Sequence, residues 1–209
     1  MSKQDMLTIV DPPAESTQQT AENARPETET KPASKHERWI LYIVATSVIV
    51  LDQWSKFIVK SNMDIYTYYA PIPAIENFFR ITHVTNTGMA FGLFPAGSWL
   101  FTLLAPIVSI AIIIYNQKLE LGNRLLRVAL GLQLGGALGN LIDRLTQGYV
   151  TDFMDFGPWP VWNIADLAVV TGTVLLALVL FQEEREAKRT AALESGQDDQ
   201  GDDQPEAIG

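Results

Sequence analysis

The chain of 209 residues has no cysteine and only two histidines, His36 and His83. Without Cys there is no disulfide framework, no thiol nucleophile and no thiolate site for zinc or an iron–sulfur cluster. His36 lies in a polar N-terminal stretch, so a His-rich metal site and a Ser-His-Asp triad are poorly supported. Charge is scarce in the middle of the chain. The net charge is −9, but residues 1–38 hold seven acids against five Lys/Arg, residues 183–209 nine against three, and residues 39–182 eight against seven. The acidity belongs to the two ends, and nothing in it points to a nucleic-acid partner. Both ends are rich in Gln, Glu, Ser, Thr, Pro and Asp and poor in large apolar residues. Residues 1–38 and 183–209 are therefore expected to be disordered tails.

The middle holds four apolar stretches, at about 39–58, 98–116, 125–145 and 163–182. A helix needs roughly 20 residues to cross the hydrocarbon core. The second stretch has no charged residue from Ser98 to Tyr115, and ionisable groups in the others lie close enough to their ends to reach an interface. The fold expected is an all-α membrane protein of four transmembrane helices. Lys/Arg near the span ends set its orientation. Nine of them (Lys31, Lys35, Arg38, Lys118, Arg124, Arg127, Arg185, Lys188, Arg189) fall on one side and four (Lys56, Lys60, Arg80, Arg144) on the other. Both termini are then cytoplasmic, and segments 61–97 and 146–162 face outward. No cleavable leader precedes the first apolar run, so the first span is expected to act as its own insertion signal. Segment 61–97 carries Ile65, Tyr66, Tyr68, Tyr69, Phe78, Phe79, Ile81 and Val84, broken by Pro71 and Pro73. That pattern predicts short strands, hence a small extracytoplasmic β-sheet lying on the outer membrane surface.

An Asp or Lys at a helix centre costs about 2.5–3.5 kcal/mol on insertion scales, so ionisable residues in spans read as functional by default. Asp52, Asp143, Asp152 and Asp166 all lie at the outer end of a span or just outside one. A pathway for protons or ions through the membrane would spread such groups in depth. Asp52 and Lys56 have the favourable order for a helical ion pair and suggest a structural clamp. Gly131, Gly135 and Gly139 form a small-residue stripe that suits close helix packing. Asn140, Asp143 and Arg144 share one face of a helix end. Asn163 and Asp166 repeat the three-residue spacing, and Asn163 is placed to cap the fourth helix. Between them Val150 to Phe156 alternates apolar and polar residues, and Asp155 there reads as solvated. Two carboxylates brought together share a proton, and such a pair can activate water without metal, His or thiol. The residues alone leave two pairings open, Asp152 with Asp166 or a pair using Asp143. Asp143 could instead be tied to Arg144 or a helix end.

Five pieces in this order resemble one family. They are Asp52-Gln53-Trp54-Ser55-Lys56, Asn86-Thr87-Gly88-Met89-Ala90-Phe91, the run from Gly135 through Asn140 to Asp143-Arg144, Val150-Thr151-Asp152-Phe153, and Trp162-Asn163-Ile164-Ala165-Asp166. Residues 39–182 resemble the lipoprotein signal peptidases, the type II signal peptidases. The resemblance implies a bacterial plasma-membrane aspartic endopeptidase that removes signal peptides from prolipoproteins. It would cut before a diacylglyceryl-modified cysteine, at the outer face of the membrane. It implies Asp152 and Asp166 as the catalytic pair. It assigns Asn86, Asn140, Arg144 and Asn163 to substrate binding or support, beside which Asp143 is counted, and Asp52 and Lys56 to structure, the role that the stripe gives Gly135 and Gly139. It calls for no metal and no cofactor. The partners implied are the prolipoprotein and membrane lipid, acting on a monomer. Trp162 stands where Phe is usual, Thr151 where a second Val is common, and the connection from Asp152 to Asp166 is short for the family.

Overall fold

The computed structural model describes residues 35–88, 98–120 and 122–198. Met89, Ala90 and Phe91 lie outside these, as do residues 1–34 and 199–209 of the expected tails. Four helices, α1 (Lys35–Asn62), α2 (Ser98–Lys118), α3 (Arg124–Gln147) and α4 (Ile164–Asp198), alternate with three short strands, β1 (Tyr68–Tyr69), β2 (Arg80–Asn86) and β3 (Val150–Asp155). All four helices are long and apolar enough to cross a membrane. They leave a girdle of exposed apolar side chains, among them Val50, Phe57, Leu103, Ile107, Val174 and Phe181. In water such a surface would aggregate; in a bilayer it meets acyl chains.

Helix α3 is the centre of the bundle. In its apolar window 61% of the residues are buried, against 28%, 17% and 22% for α1, α2 and α4. Its glycines explain how the neighbours come so close. A Cβ on Gly135 would lie 2.8 Å from the Ala45 carbonyl oxygen and 2.7 Å from the Val48 Cβ on α1. One on Gly139 would lie 2.8 Å from Asp52 Oδ2 and 3.3 Å from the Ala165 Cβ. Neither position has space for a side chain, so the stripe acts as packing surface. Leu41, Ala45, Ile112, Leu119, Leu126, Leu130 and Leu134 form an apolar core toward the end of the bundle where α2 turns into α3. Most of the buried polar residues, Asp52, Lys56, Asp143, Thr151, Asp152 and Asn163 among them, gather at the opposite end, while Asn116 and Arg127 lie at this one.

Arg127 departs from expectation. Although the sequence sets it among the cations expected at the cytoplasmic span ends, its side chain is fully buried. It donates to the Asn116, Leu119 and Glu120 carbonyls and to Asn116 Oδ1. Arg127 thus closes the C-terminus of α2, satisfying carbonyls that a helix end leaves unpaired. A second correction concerns the C-terminal tail. Helix α4 continues to Asp198, so 183–198 is helical. This stretch is polar, but it is built from good helix formers (Glu-Glu-Arg-Glu-Ala-Lys-Arg) and carries an i, i+4 pair from Lys188 to Glu184.

The strands form one antiparallel sheet in the order β1-β2-β3. Val84 faces Asp152, and Asn86 faces Val150, with an irregularity in register between Ile81 and Val84. After β3 the chain returns at once. Trp162 and Met154 exchange backbone hydrogen bonds, Trp162 N–H to Met154 O at 2.9 Å and Met154 N–H to Trp162 O at 2.7 Å. This bridge places the start of α4 beside β3. Helix α3 ends at Gly148, whose φ of 82° is the left-handed cap conformation that glycine adopts without strain.

Candidate active site

Asp166 occupies the third position of α4, and Asn163 is that helix's N-cap. The Asp166 N–H donates to Asn163 Oδ1 at 2.9 Å, and the Asn163 N–H donates back to Asp166 Oδ2 at 3.3 Å. This reciprocal capping box holds the Asp166 carboxylate at the helix mouth. The remaining Asn163 amide hydrogens go to Asp152 Oδ1 at 2.6 Å and Asn140 Oδ1 at 3.1 Å. One fully buried Asn side chain therefore ties both carboxylates into a single network. Asn140 on α3 donates to Asp166 Oδ1 at 2.8 Å. Asn86, the last residue of β2, donates to Asp152 Oδ2 at 2.8 Å, and its own carbonyl accepts from the Gly88 N–H. Among the described residues, neither Asp152 nor Asp166 has an ion-pair partner. Burial first, and then the Asp166 charge, push the Asp152 carboxyl up to about 7, against the pull of the Asn86 and Asn163 amides.

Asp52 and Asp143 sit beside this pair in a different setting. Lys56 is fully buried between them, 2.8 Å from Asp52 Oδ2 and 3.0 Å from Asp143 Oδ2. Asp52 Oδ1 accepts the Ala165 N–H at 2.9 Å, one of the unpaired donors at the start of α4. Asp143 Oδ2 accepts the Thr151 N–H at 3.1 Å, which anchors β3. Gln53 donates to both carboxylates and to the Gly139 carbonyl. The cluster clamps α1, α3, β3 and the head of α4 together. Asp143 is indeed tied up, as one sequence reading allowed, but its cation is Lys56 and not Arg144. Lys56 also donates to Asn140 Oδ1 at 3.1 Å. With two donors on that oxygen, the Asn140 NH2 must face Asp166.

Arg144 lies over the Phe101 ring, 5.4 Å from its centroid, with one long bond from Nη1 to the Asn140 carbonyl at 3.4 Å. Two cavities meet at Phe101, Arg144, Asp166 and Val170. One, of about 390 Å³, is lined mainly by apolar residues of α2, α3 and α4. The other, of about 330 Å³, runs under Asn86, Gly88 and Trp162.

Ten of the eleven residues assigned a site or structural role in the sequence fall in this region, and the eleventh, Gly135, lies one turn further along α3 against Ala45 and Val48. Gln53 and Phe101 were given no role in the sequence. Gln53 had a signal, its place beside Asp52, whereas nothing in the sequence marks Phe101 among the other apolar residues of α2. Asp155 corrects another expectation. It is buried in β3, where Arg80 Nε meets its Oδ2 at 2.5 Å and Thr82 donates at 3.3 Å. Its pairing follows from the β2–β3 register, which sets Arg80 opposite Asp155.

The model of the family described as Signal peptidase (SPase) II matches residues 44–182. A lipoprotein signal peptidase of Halothermothrix orenii is 43% identical over 146 residues, covering 70% of this chain and 98% of that protein. One of Moorella thermoacetica is 42% identical over 134 residues, covering 64% and 87%. A bacterial membrane enzyme solved by the in meso method at 2.3 Å superposes with a TM-score of 0.63 at 28% identity, covering 81% of this chain and 94% of the other. The family match takes in most of α1, all of α2, α3 and the sheet, the first half of α4 and every carboxylate of both clusters, and the chain belongs to the signal peptidase II family.

Proposed function

We propose that this protein removes signal peptides from prolipoproteins as a membrane aspartic endopeptidase, with Asp152 and Asp166 as its catalytic pair. Family membership supports the substrate class. The observation that carries the catalytic assignment is Asn163, whose amide donates to Asp152 while its backbone and carbonyl anchor Asp166. It holds two carboxylates in one network whose direct donors are neutral amide N–H groups. Two such groups with little neutralisation retain one proton between them. The pairing with Asp143 is disfavoured because Asp143 is already neutralised by Lys56.

The pair enters the reaction with one proton. The ionised carboxylate takes a proton from water as the water oxygen attacks the scissile carbonyl carbon. The protonated carboxyl passes its proton to the carbonyl oxygen. Collapse of the gem-diol intermediate breaks the C–N bond: the proton taken from water goes to the leaving amine, and one gem-diol hydroxyl returns its proton to the other carboxylate, which restores the one-proton pair. Arg144 and the Asn side chains orient peptide carbonyls by hydrogen bonds. The cut falls before a diacylglyceryl-modified cysteine, with the acyl chains in the bilayer and the peptide in the cavity below Asn86. Both termini are cytoplasmic, the site faces outward, and the enzyme works as a monomer without metal or cofactor.

The test is cleavage of a diacylglyceryl-modified prolipoprotein by purified protein in lipid, with chelator present, for wild type, Asp152→Asn and Asp166→Asn. Cleavage by wild type alone is expected. Near-normal cleavage by Asp152→Asn would discard this pair, and loss with chelator would discard the metal-free mechanism.

A further inference from the structure

Arg144 is the one cation lining both cavities, yet among the described residues it makes no ion pair. Asp166 lines both cavities with it. Among the described residues the buried Arg144 Nε has no hydrogen-bond partner, and Nη1 has only the long bond to Asn140. An Arg beside unpaired carboxylates should collapse onto one of them in a bidentate pair. Such a pair would consume the donors and hold the carboxylate ionised. The contact that opposes this is the Phe101 ring beneath the guanidinium. A ring face attracts a guanidinium, most strongly where water is excluded. Phe101 also lines both cavities, so it stands where the apolar space and the peptide space join.

We propose that Phe101 is a positioning residue that holds the Arg144 guanidinium off the carboxylate pair, leaving its donors directed at substrate carbonyl oxygens. The role rests on Asp152 and Asp166 being the catalytic pair. Phe101 fixes Arg144 where the apolar cavity meets the polar one. A substrate with a lipid-modified residue has its peptide backbone at that junction when its acyl chains occupy the apolar side.

The full chain in lipid provides the test, with Phe101→Leu and Phe101→Met removing the π face while keeping the span apolar, and Phe101→Tyr keeping the ring. Two readouts are taken: cleavage of a diacylglyceryl-modified prolipoprotein across pH, and the infrared carboxyl absorption assigned to Asp152 by its loss in Asp152→Asn. Phe101→Leu and Phe101→Met should lower kcat about tenfold. They should also move the Asp152 titration down by about one pH unit, because Arg144 now pairs with a carboxylate. Phe101→Tyr should match wild type in both. An unchanged infrared titration in Phe101→Leu overturns the proposal, as does a Phe101→Tyr variant as impaired as Phe101→Leu. Cleavage surviving in Asp152→Asn would instead overturn the catalytic reading, and the infrared titration would still decide whether Phe101 restrains Arg144.

Discussion

Four aspartates lie at one end of the bundle, and they divide into two pairs by the chemistry of their donors. Asp52 and Asp143 share the Lys56 ammonium and also accept backbone N–H groups of Ala165 and Thr151. Among the described residues, Asp152 and Asp166 accept only from amides, those of Asn86, Asn140 and Asn163. A buried charge is tolerated when it is paired and hydrogen-bonded, and otherwise it takes up a proton. The first pair is bound to one buried cation and holds helices together. The second is left to share a proton, which is what general acid–base chemistry needs. Residue type is the same in both, so the difference follows from the neighbours.

The largest effect should come from removing a carboxylate of the amide-bound pair. Asp152→Asn or Asp166→Asn should lower turnover at least about a thousandfold while the protein stays folded. The pH dependence has a definite sign. Asp152 keeps its proton up to about pH 7 in the fold but loses it near the ordinary 3.8 when unfolded. The folded state therefore binds more protons between these values, and stability falls as pH rises through that window, by up to about 4 kcal/mol. Asp152→Asn removes this penalty. Its melting temperature should exceed that of wild type at pH 8 and lose the advantage near pH 4. Wild-type turnover should also decline above about pH 7, as the shared proton leaves. Equal melting curves at pH 8 would mean that Asp152 is not held protonated.

Breaking the lysine-bound pair should have the opposite signature. Lys56→Met leaves two buried carboxylates without their cation and should cost about 3–5 kcal/mol. Replacing all three charges at once, Asp52→Asn with Lys56→Met and Asp143→Asn, should recover much of that loss, because no unpaired charge remains. Thermal unfolding of the two variants in one detergent measures this. Equal destabilisation would show that geometry, and not charge balance, holds the clamp.

The division between the pairs was only partly legible in the sequence. Asp52 and Lys56 are one helical turn apart, so their contact is a local inference. The second partner, Asp143, lies 87 residues from Lys56, and only the close α1–α3 packing at Gly135 and Gly139 brings them together. Arg144, next to Asp143 in sequence, looked like the natural partner but points to another side of α3. The four spans were readable because lipid demands long apolar runs. Helix 183–198 was not, because polar composition resembles disorder unless helix propensity and i, i+4 pairs are weighed. Asp155 looked solvated because alternation shows that a strand exists but not what pairs with it.

Asn163 allows a finer separation, since it serves both as helix cap and as donor to the carboxylates. Asn163→Ala should lower kcat about a hundredfold, the scale of losing one oriented donor. It should also cost about 1 kcal/mol of stability from the lost cap. Asn163→Ser restores a capping oxygen but supplies no amide to reach Asp152. It should regain the stability and leave the activity low. Recovery of both would mean that Asn163 matters to catalysis only through the helix start.

The smallest effect should come from Asp155, the acid whose cation is partly in water. The Arg80 side chain is 37% exposed, while Asp155 is 6% exposed and keeps donors from Thr82 and the Gly157 N–H when Arg80 is removed. Ion pairs open to solvent are screened by salt and contribute little. Arg80→Gln should therefore shift the melting temperature by no more than about 2 °C, less still at high salt, with kcat unchanged. A carboxylate with two remaining donors tolerates the loss of a screened cation. Asp143 also has neutral donors, in Gln53 and the Thr151 N–H, but it is walled off from water and cannot tolerate the loss of Lys56. If Arg80→Gln proved as damaging as Lys56→Met, solvent access would not be what separates them, and the sheet's register would depend on Arg80 directly.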